Sequence, residues 1–160
     1  MHVDLEINVT PSPLPRARHA SRGGFVSSYY TAITKDKFND YTNAILKALE
    51  EQSEYSQEQL LQASKKGNTL SVSCAFYLPI PKSTSKKRTV LMEDMWHDKK
   101  PDLDNLIKMI LDRCTGILFE DDNNVSKIIG VKKYSQNPRI KLFVEYKPLN
   151  SGFFLYHKNN

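Results

Sequence analysis

The chain has 160 residues, 39% apolar and 26% charged, a formal net charge of +5 and a sequence pI near 9.1. That is about one domain, large enough to bury roughly two thirds of its unfolded surface around its own core. A mean hydropathy of −0.53 and the lack of a long apolar run exclude a membrane-spanning helix, and Cys74 and Cys114 are too few for a disulfide framework or a four-cysteine zinc site. The opening Met-His-Val-Asp-Leu-Glu has no basic and apolar leader, so no signal peptide is expected and the reducing cytoplasm is the default compartment.

In chain order, Val3, Leu5, Ile7 and Val9 alternate with polar residues and predict a half-buried strand. Residues from Thr10 to Ser28, with three prolines, two glycines, Arg16, Arg18, His19 and Arg22, read as a loop. Thr34 can cap a helix whose inner face carries Phe38, Tyr41, Ile45 and Leu49, running towards Gln62 with a weak point near Ser53. Lys65-Lys66-Gly67-Asn68 would end it with glycine chemistry. Leu70, Val72, Cys74, Phe76 and Leu78 predict a second strand, stopped by Pro79 and Pro81. A long polar loop, rich in Lys and Arg, is expected over 82–100.

The strongest periodicity comes next. Leu103, Leu106, Ile107, Ile110, Leu111 and Cys114 form an apolar stripe that predicts a helix over about 102–115, closed by Gly116. Strands are expected over 125–134 and 139–147, joined as a hairpin by Ser135–Pro138, with Ile140, Leu142, Val144 and Tyr146 inward. The last ten residues, 151–160, read as a tail in which Phe153, Phe154, Leu155 and Tyr156 offer docking groups. The expected architecture is a single α/β domain over 1–150: a small mixed β-sheet of about four strands with two main helices on one face.

Charge is unevenly spread. Residues 127–160 carry seven basic side chains and one acid, whereas 102–122 carry six acids and two basics. A basic chain suggests a polyanionic partner. The acids at Asp102 and Asp104 stand at a helix start, where an N-cap or a favourable helix-dipole contact is an ordinary explanation. Asp121 and Asp122 lie in the turn after that helix, and an extended Ile117–Glu120 could carry them back along it. Carboxylates gathered in this way would make an oxygen-rich Mg²⁺ site, and in a basic protein that suggests phosphodiester chemistry. Lys108, one turn after Asp104, is either a surface ion-pair partner or a cation for a scissile phosphate. His97 is an exposed loop histidine or a base. An EF-hand reading fails, because Leu106 and Ile107 occupy the loop positions that need an oxygen ligand and a glycine.

The run His97-Asp98-Lys99-Lys100-Pro101-Asp102-Leu103-Asp104-Asn105-Leu106-Ile107-Lys108 resembles the signature of RusA-type Holliday junction resolvases. Leu111-Asp112, Gly116-Ile117 and Asp121-Asp122-Asn123-Asn124-Val125 resemble the family's second acidic motif, and Pro13-Leu14-Pro15-Arg16-Ala17-Arg18 its Pro/Arg-rich loop. The closest likeness covers about 97–147. The segment up to Asn68 and the basic loop over 82–96 are longer than in compact relatives.

The resemblance implies a homodimeric endodeoxyribonuclease that cuts branched DNA, four-way junctions above all, with Mg²⁺ or in its place Mn²⁺. It carries the metal ligands onto Asp102, Asp104 and Asp122 and the functional lysine onto Lys108, with Asp121 beside them as a supporting group. Arg16, Arg18, Lys99, Lys100, Lys132 and Lys133 are candidates for DNA backbone contacts. The rival readings are a fork or flap nuclease and a non-catalytic DNA-binding accessory protein.

Overall fold

A computed structural model of the chain describes residues 1–65 and 68–149. The elements follow as β1 (His2–Ile7), β2 (Arg18–Arg22), β3 (Phe25–Tyr29), α1 (Ala32–Gln52), α2 (Gln57–Ala63), β4 (Asn68–Pro79), α3 (Lys86–Met92), α4 (Leu103–Cys114), a 3-10 turn (Asp122–Asn124), β5 (Val125–Ser135) and β6 (Arg139–Pro148). Four strands form one mixed sheet in the order β1-β6-β4-β5, and β2 and β3 form a separate two-stranded sheet. The small α/β architecture expected from the alternating patterns is therefore present. The expected glycine stop at Lys66-Gly67 and the tail over 151–160 with Phe153–Tyr156 lie outside the described residues.

Period-2 patterning gives the sheet one apolar face. Val3, Leu5 and Ile7 of β1, Leu70 to Leu78 of β4 and Ile140 to Tyr146 of β6 all bury their alternate side chains in a single core. Helices α1 and α4 cover that face. Tyr41, Ile45 and Leu49 of α1 and Leu106, Met109, Ile110 and Cys114 of α4 are its helical contribution. Full burial of each such side chain is worth about 1.5–3 kcal/mol, which makes the α4 stripe the main force seating that helix. Gly130 on β5 admits the helix closely: a Cβ there would stand 2.7 Å from Ile107 Cδ1.

Four local expectations change. The 139–147 strand does not form a hairpin with 125–134, because β4 lies between them, antiparallel to β6 and parallel to β5. The α4 crossover permits that parallel pairing, whereas a tight turn could give only an antiparallel neighbour. The Thr10–Ser28 loop contains the β2–β3 hairpin, turned by Gly23 (φ 60°) and Gly24 (φ 84°). Both glycines at positive φ give a type I′ turn, whose twist suits a hairpin. The first helix is capped three residues earlier than expected, since Thr31 rather than Thr34 accepts the capping bond, from the Thr34 N–H. It ends at Ser53, the expected weak point, rather than running on to Gln62, and Ser56 and Gln59 close a reciprocal capping box that opens α2. Lastly, the polar 82–100 segment holds α3, capped by Ser85.

Candidate nuclease site

The segment before α4 is fastened to the edge of β5. Asp94 and His97 donate backbone N–H groups to the carbonyls of Tyr134 and Lys132, and Tyr134 donates its own to Met95. Lys132 then reaches across with its ammonium and donates to the carbonyl oxygens of Lys99 and Pro101. The peptide between Lys100 and Pro101 is cis. This framework delivers the chain to Asp102, the N-cap position of α4 by its extended backbone.

The carboxylate of Asp102 makes no capping hydrogen bond. The capping explanation for this aspartate is thereby withdrawn, and an exposed carboxylate is left at the positive end of the helix, where the dipole favours it. Asp104 follows in the first turn and pairs with Lys108 at 3.5 Å, with both side chains mostly exposed (69% and 62%). Asn105 offers its backbone carbonyl to the N–H of Leu14 at 3.2 Å, which brings the Pro/Arg-rich loop against the same turn.

The second acidic motif lies at the other end of α4. The chain does not run back extended through Ile117–Glu120. Gly116 (φ 80°) turns it at once, and the N–H groups of Ile117 and Leu118 both donate to the Cys114 carbonyl. Asp121 caps the 3-10 turn by accepting from the Asn123 N–H at 2.9 Å. Asp122 feels the charges of Asp121 and Asp112. Its carboxyl is raised from the usual value, by desolvation first, then by a hydrogen bond that its protonated form donates to Asp121 and by those two like charges. Asp112 is itself paired with Arg113, whose guanidinium stacks on Phe38 at 4.3 Å.

One face of α4 therefore carries Asp104, Lys108 and Asp112 in succession, and eight residues of helix separate Asp104 from Asp112 by about 12 Å. Within a single chain, Asp102 and Asp104 lie two residues apart at the start of α4, whereas Asp122 lies with Asp112 and Asp121. Among the described residues, no three His, Cys, Asp or Glu side chains meet closely enough to hold a metal ion. The donors suit Mg²⁺ in kind, being all oxygen, and that ion commonly uses one or two carboxylates with water and phosphate oxygens filling the rest.

The six candidate DNA contacts divide in two. Arg16, Arg18, Lys99 and Lys100 are exposed. Lys132 and Lys133 are partly buried and engaged, Lys132 on the Lys99 and Pro101 carbonyls and Lys133 on Asp94 at 3.0 Å beneath the Trp96 ring. Their geometry serves the framework of the site. His97 packs its ring 4.3 Å from Tyr134 and keeps an unpartnered buried Nδ1. Desolvation, then the Lys132 charge, holds its imidazole below the usual value.

Sequence reasoning missed Ser64. Fully buried at the end of α2, it accepts the Glu120 N–H on its hydroxyl at 2.9 Å and the Asn124 side-chain amide on its carbonyl. No pattern marks a serine at a helix C-terminus as the seat of a turn so far along the chain.

The family model described as endodeoxyribonuclease RusA matches residues 7–145. The chain is also similar to the "Uncharacterized protein YqaN" of Bacillus subtilis (strain 168), 32% identical over 79 residues. That match covers 47% of this chain and 56% of the relative, so the chain spans about half the length of the relative it matches. The match over 7–145 runs from the end of β1, through the acidic helix and its turn, and well into β6. This chain belongs to the RusA endodeoxyribonuclease family.

Proposed function

We propose that the chain is a metal-dependent endodeoxyribonuclease that resolves four-way DNA junctions by paired phosphodiester cleavage, acting as a homodimer. The observation that carries this reading is the Asp102 carboxylate, which occupies an N-cap position without capping and stands two residues before Asp104. Family membership and the exposed Arg16, Arg18, Lys99 and Lys100 support it.

Asp102 and Asp104 would hold Mg²⁺, or Mn²⁺ in its place, with Asp122 as the third ligand. Bound there, the ion supplies Lewis-acid polarisation of the phosphodiester and offsets its charge. Lys108 lies close enough to Asp104 to leave its ion pair and support the same phosphate. The exposed arginines and lysines hold the DNA backbone, which gives affinity rather than sequence reading. Two copies related by a two-fold axis present two equal sites to two strands.

The experiment is cleavage of labelled four-way junction, fork, flap and duplex, with and without Mg²⁺, by wild type and Asp102→Asn. Paired cuts in the junction, lost without metal and in the variant while junction binding persists, are expected. Preferred cutting of forks or flaps would reassign the substrate. Tight binding of every DNA with no cleavage under Mg²⁺ or Mn²⁺ would replace the enzyme with a DNA-binding accessory protein.

A further inference from the structure

The β2–β3 hairpin buries neither of its faces. Every residue from Arg18 to Tyr30, turn included, is exposed, and Phe25 and Val26 are 83% and 71% exposed. A two-stranded ribbon of this kind is marginal in water on its own, so its exposed rings call for something to cover them. Its register says what kind of surface it offers. Arg18 stands opposite Tyr29 and Arg22 opposite Phe25. Directly opposed residues share a face, so both arginine–aromatic pairs lie on the same side of the ribbon. The other side carries His19 opposite Ser28, joined at 3.0 Å, and Ser21 opposite Val26.

Charge narrows the occupant further. No acid occurs between Glu6 and Asp36, and that stretch carries Arg16, Arg18, Arg22 and Lys35. Two such faces from two copies would bring arginine against arginine. A face with guanidinium groups and flat rings instead suits a polyanion with exposed π-surfaces, the combination that holds unpaired nucleotides.

The ribbon also starts in the right place. Leu14, four residues before β2, is hydrogen-bonded to Asn105, next to Asp104. From there a five-residue strand extends about 17 Å.

We propose that the β2–β3 ribbon is a DNA-engaging arm that stacks Phe25 and Tyr29 on bases unstacked at the branch point, with Arg18 and Arg22 on the flanking phosphates. The inference rests on the junction-nuclease reading and adds to it the element that distinguishes a branch from plain duplex.

The test uses the full chain without divalent metal, and two double variants, F25A/Y29A and R18A/R22A. The probes are a four-way junction with 2-aminopurine at the branch and a duplex of the same arm sequence. Wild type should raise the 2-aminopurine fluorescence of the junction. F25A/Y29A should lose that rise and weaken junction binding at least about tenfold, with duplex affinity changed less than about twofold. R18A/R22A should weaken both and reduce the salt dependence. Junction binding and fluorescence unchanged in F25A/Y29A would overturn the arm, as would equal losses on junction and duplex. Conversion of a wild-type dimer to monomer by F25A/Y29A in sedimentation would overturn it in favour of an interface between copies. The two readings fail differently: wild type that ignores branched DNA removes both, whereas wild type that binds and cuts while F25A/Y29A behaves identically removes only the arm.

Discussion

The ammonium of Lys132 donates to the carbonyl oxygen of Pro101 at 2.8 Å, so a lysine on β5 holds the backbone one residue before Asp102. Its companion bond to Lys99 makes the grip two-pronged. A cation used in this way positions carboxylates and has little left for phosphate. Lys132→Met should therefore lower stability by about 1.5–3 kcal/mol, the range for hydrogen bonds that involve a charged group. Cleavage should fall more than junction affinity. Chemical denaturation, binding titration and single-turnover cleavage measure the three quantities; a large affinity loss at unchanged stability would return Lys132 to the DNA surface.

Lys108 allows a sharper separation of roles. As a surface partner of Asp104 it contributes about half a kcal/mol or less, since both side chains are mostly exposed. As a support for the scissile phosphate its loss should slow cutting about 100-fold or more. Lys108→Ala is expected to unfold like wild type and cleave far more slowly. Lys108→Arg should restore little, because a planar fork does not replace a compact ammonium. Wild-type rates in both variants would remove Lys108 from the chemistry.

Asp122 stands beside Asp112, about 12 Å along α4 from Asp104. If Asp122 serves an ion held by Asp102 and Asp104 while α4 and its turn keep this geometry, it must come from a second copy. Asp102→Asn and Asp122→Asn should each be inactive alone. Mixed after subunit exchange, they should form heterodimers with one intact site, which nick one strand of a junction without resolving it. Complete inactivity of the mixture, with heterodimers verified by differential tags, would mean that the ligands are drawn from one chain by movement of the acidic turn.

His97 makes a pH-dependent contribution. Its imidazole is held below the usual value, chiefly by desolvation and then by Lys132, so the unfolded chain takes up a proton there more readily than the folded one. Folding stability should drop as pH falls through the ordinary histidine range, near 6.5, and should be free of this contribution above it. In His97→Gln that part of the decline should vanish. Thermal unfolding between pH 5 and 8 with both proteins tests it, and parallel curves would refute it.

The sequence exposed whatever was enforced by a one-sided core. β1, β4, β6, α1 and α4 carry clean periods because each buries one face, and their inward residues were legible down to Tyr146. The hairpin was missed because both of its faces are exposed, so Arg18–Tyr29 has no alternation to read. The β5–β6 pairing was misjudged because Ser135–Pro138 has turn chemistry whichever strand lies beside the next one. At the site, the spacing that brings Asp102 to the start of α4 is local and was readable. The position of Asp122 depends on the tight turn at Gly116, which fixes it at the far end of the helix.

Ser64 gives the acidic turn an address elsewhere in the chain. With its hydroxyl bonded to Glu120 and its carbonyl to Asn124, one serine in α2's last turn brackets the turn at both ends. The Asp121–Asp122 motif is thus not a portable cassette. Grafting 116–125 onto a more compact scaffold would transfer the carboxylates without their mooring, so any functional transplant must carry the end of α2 with it. The same coupling provides a reporter: amide exchange at Glu120, beside Asp121, should track the opening of α2.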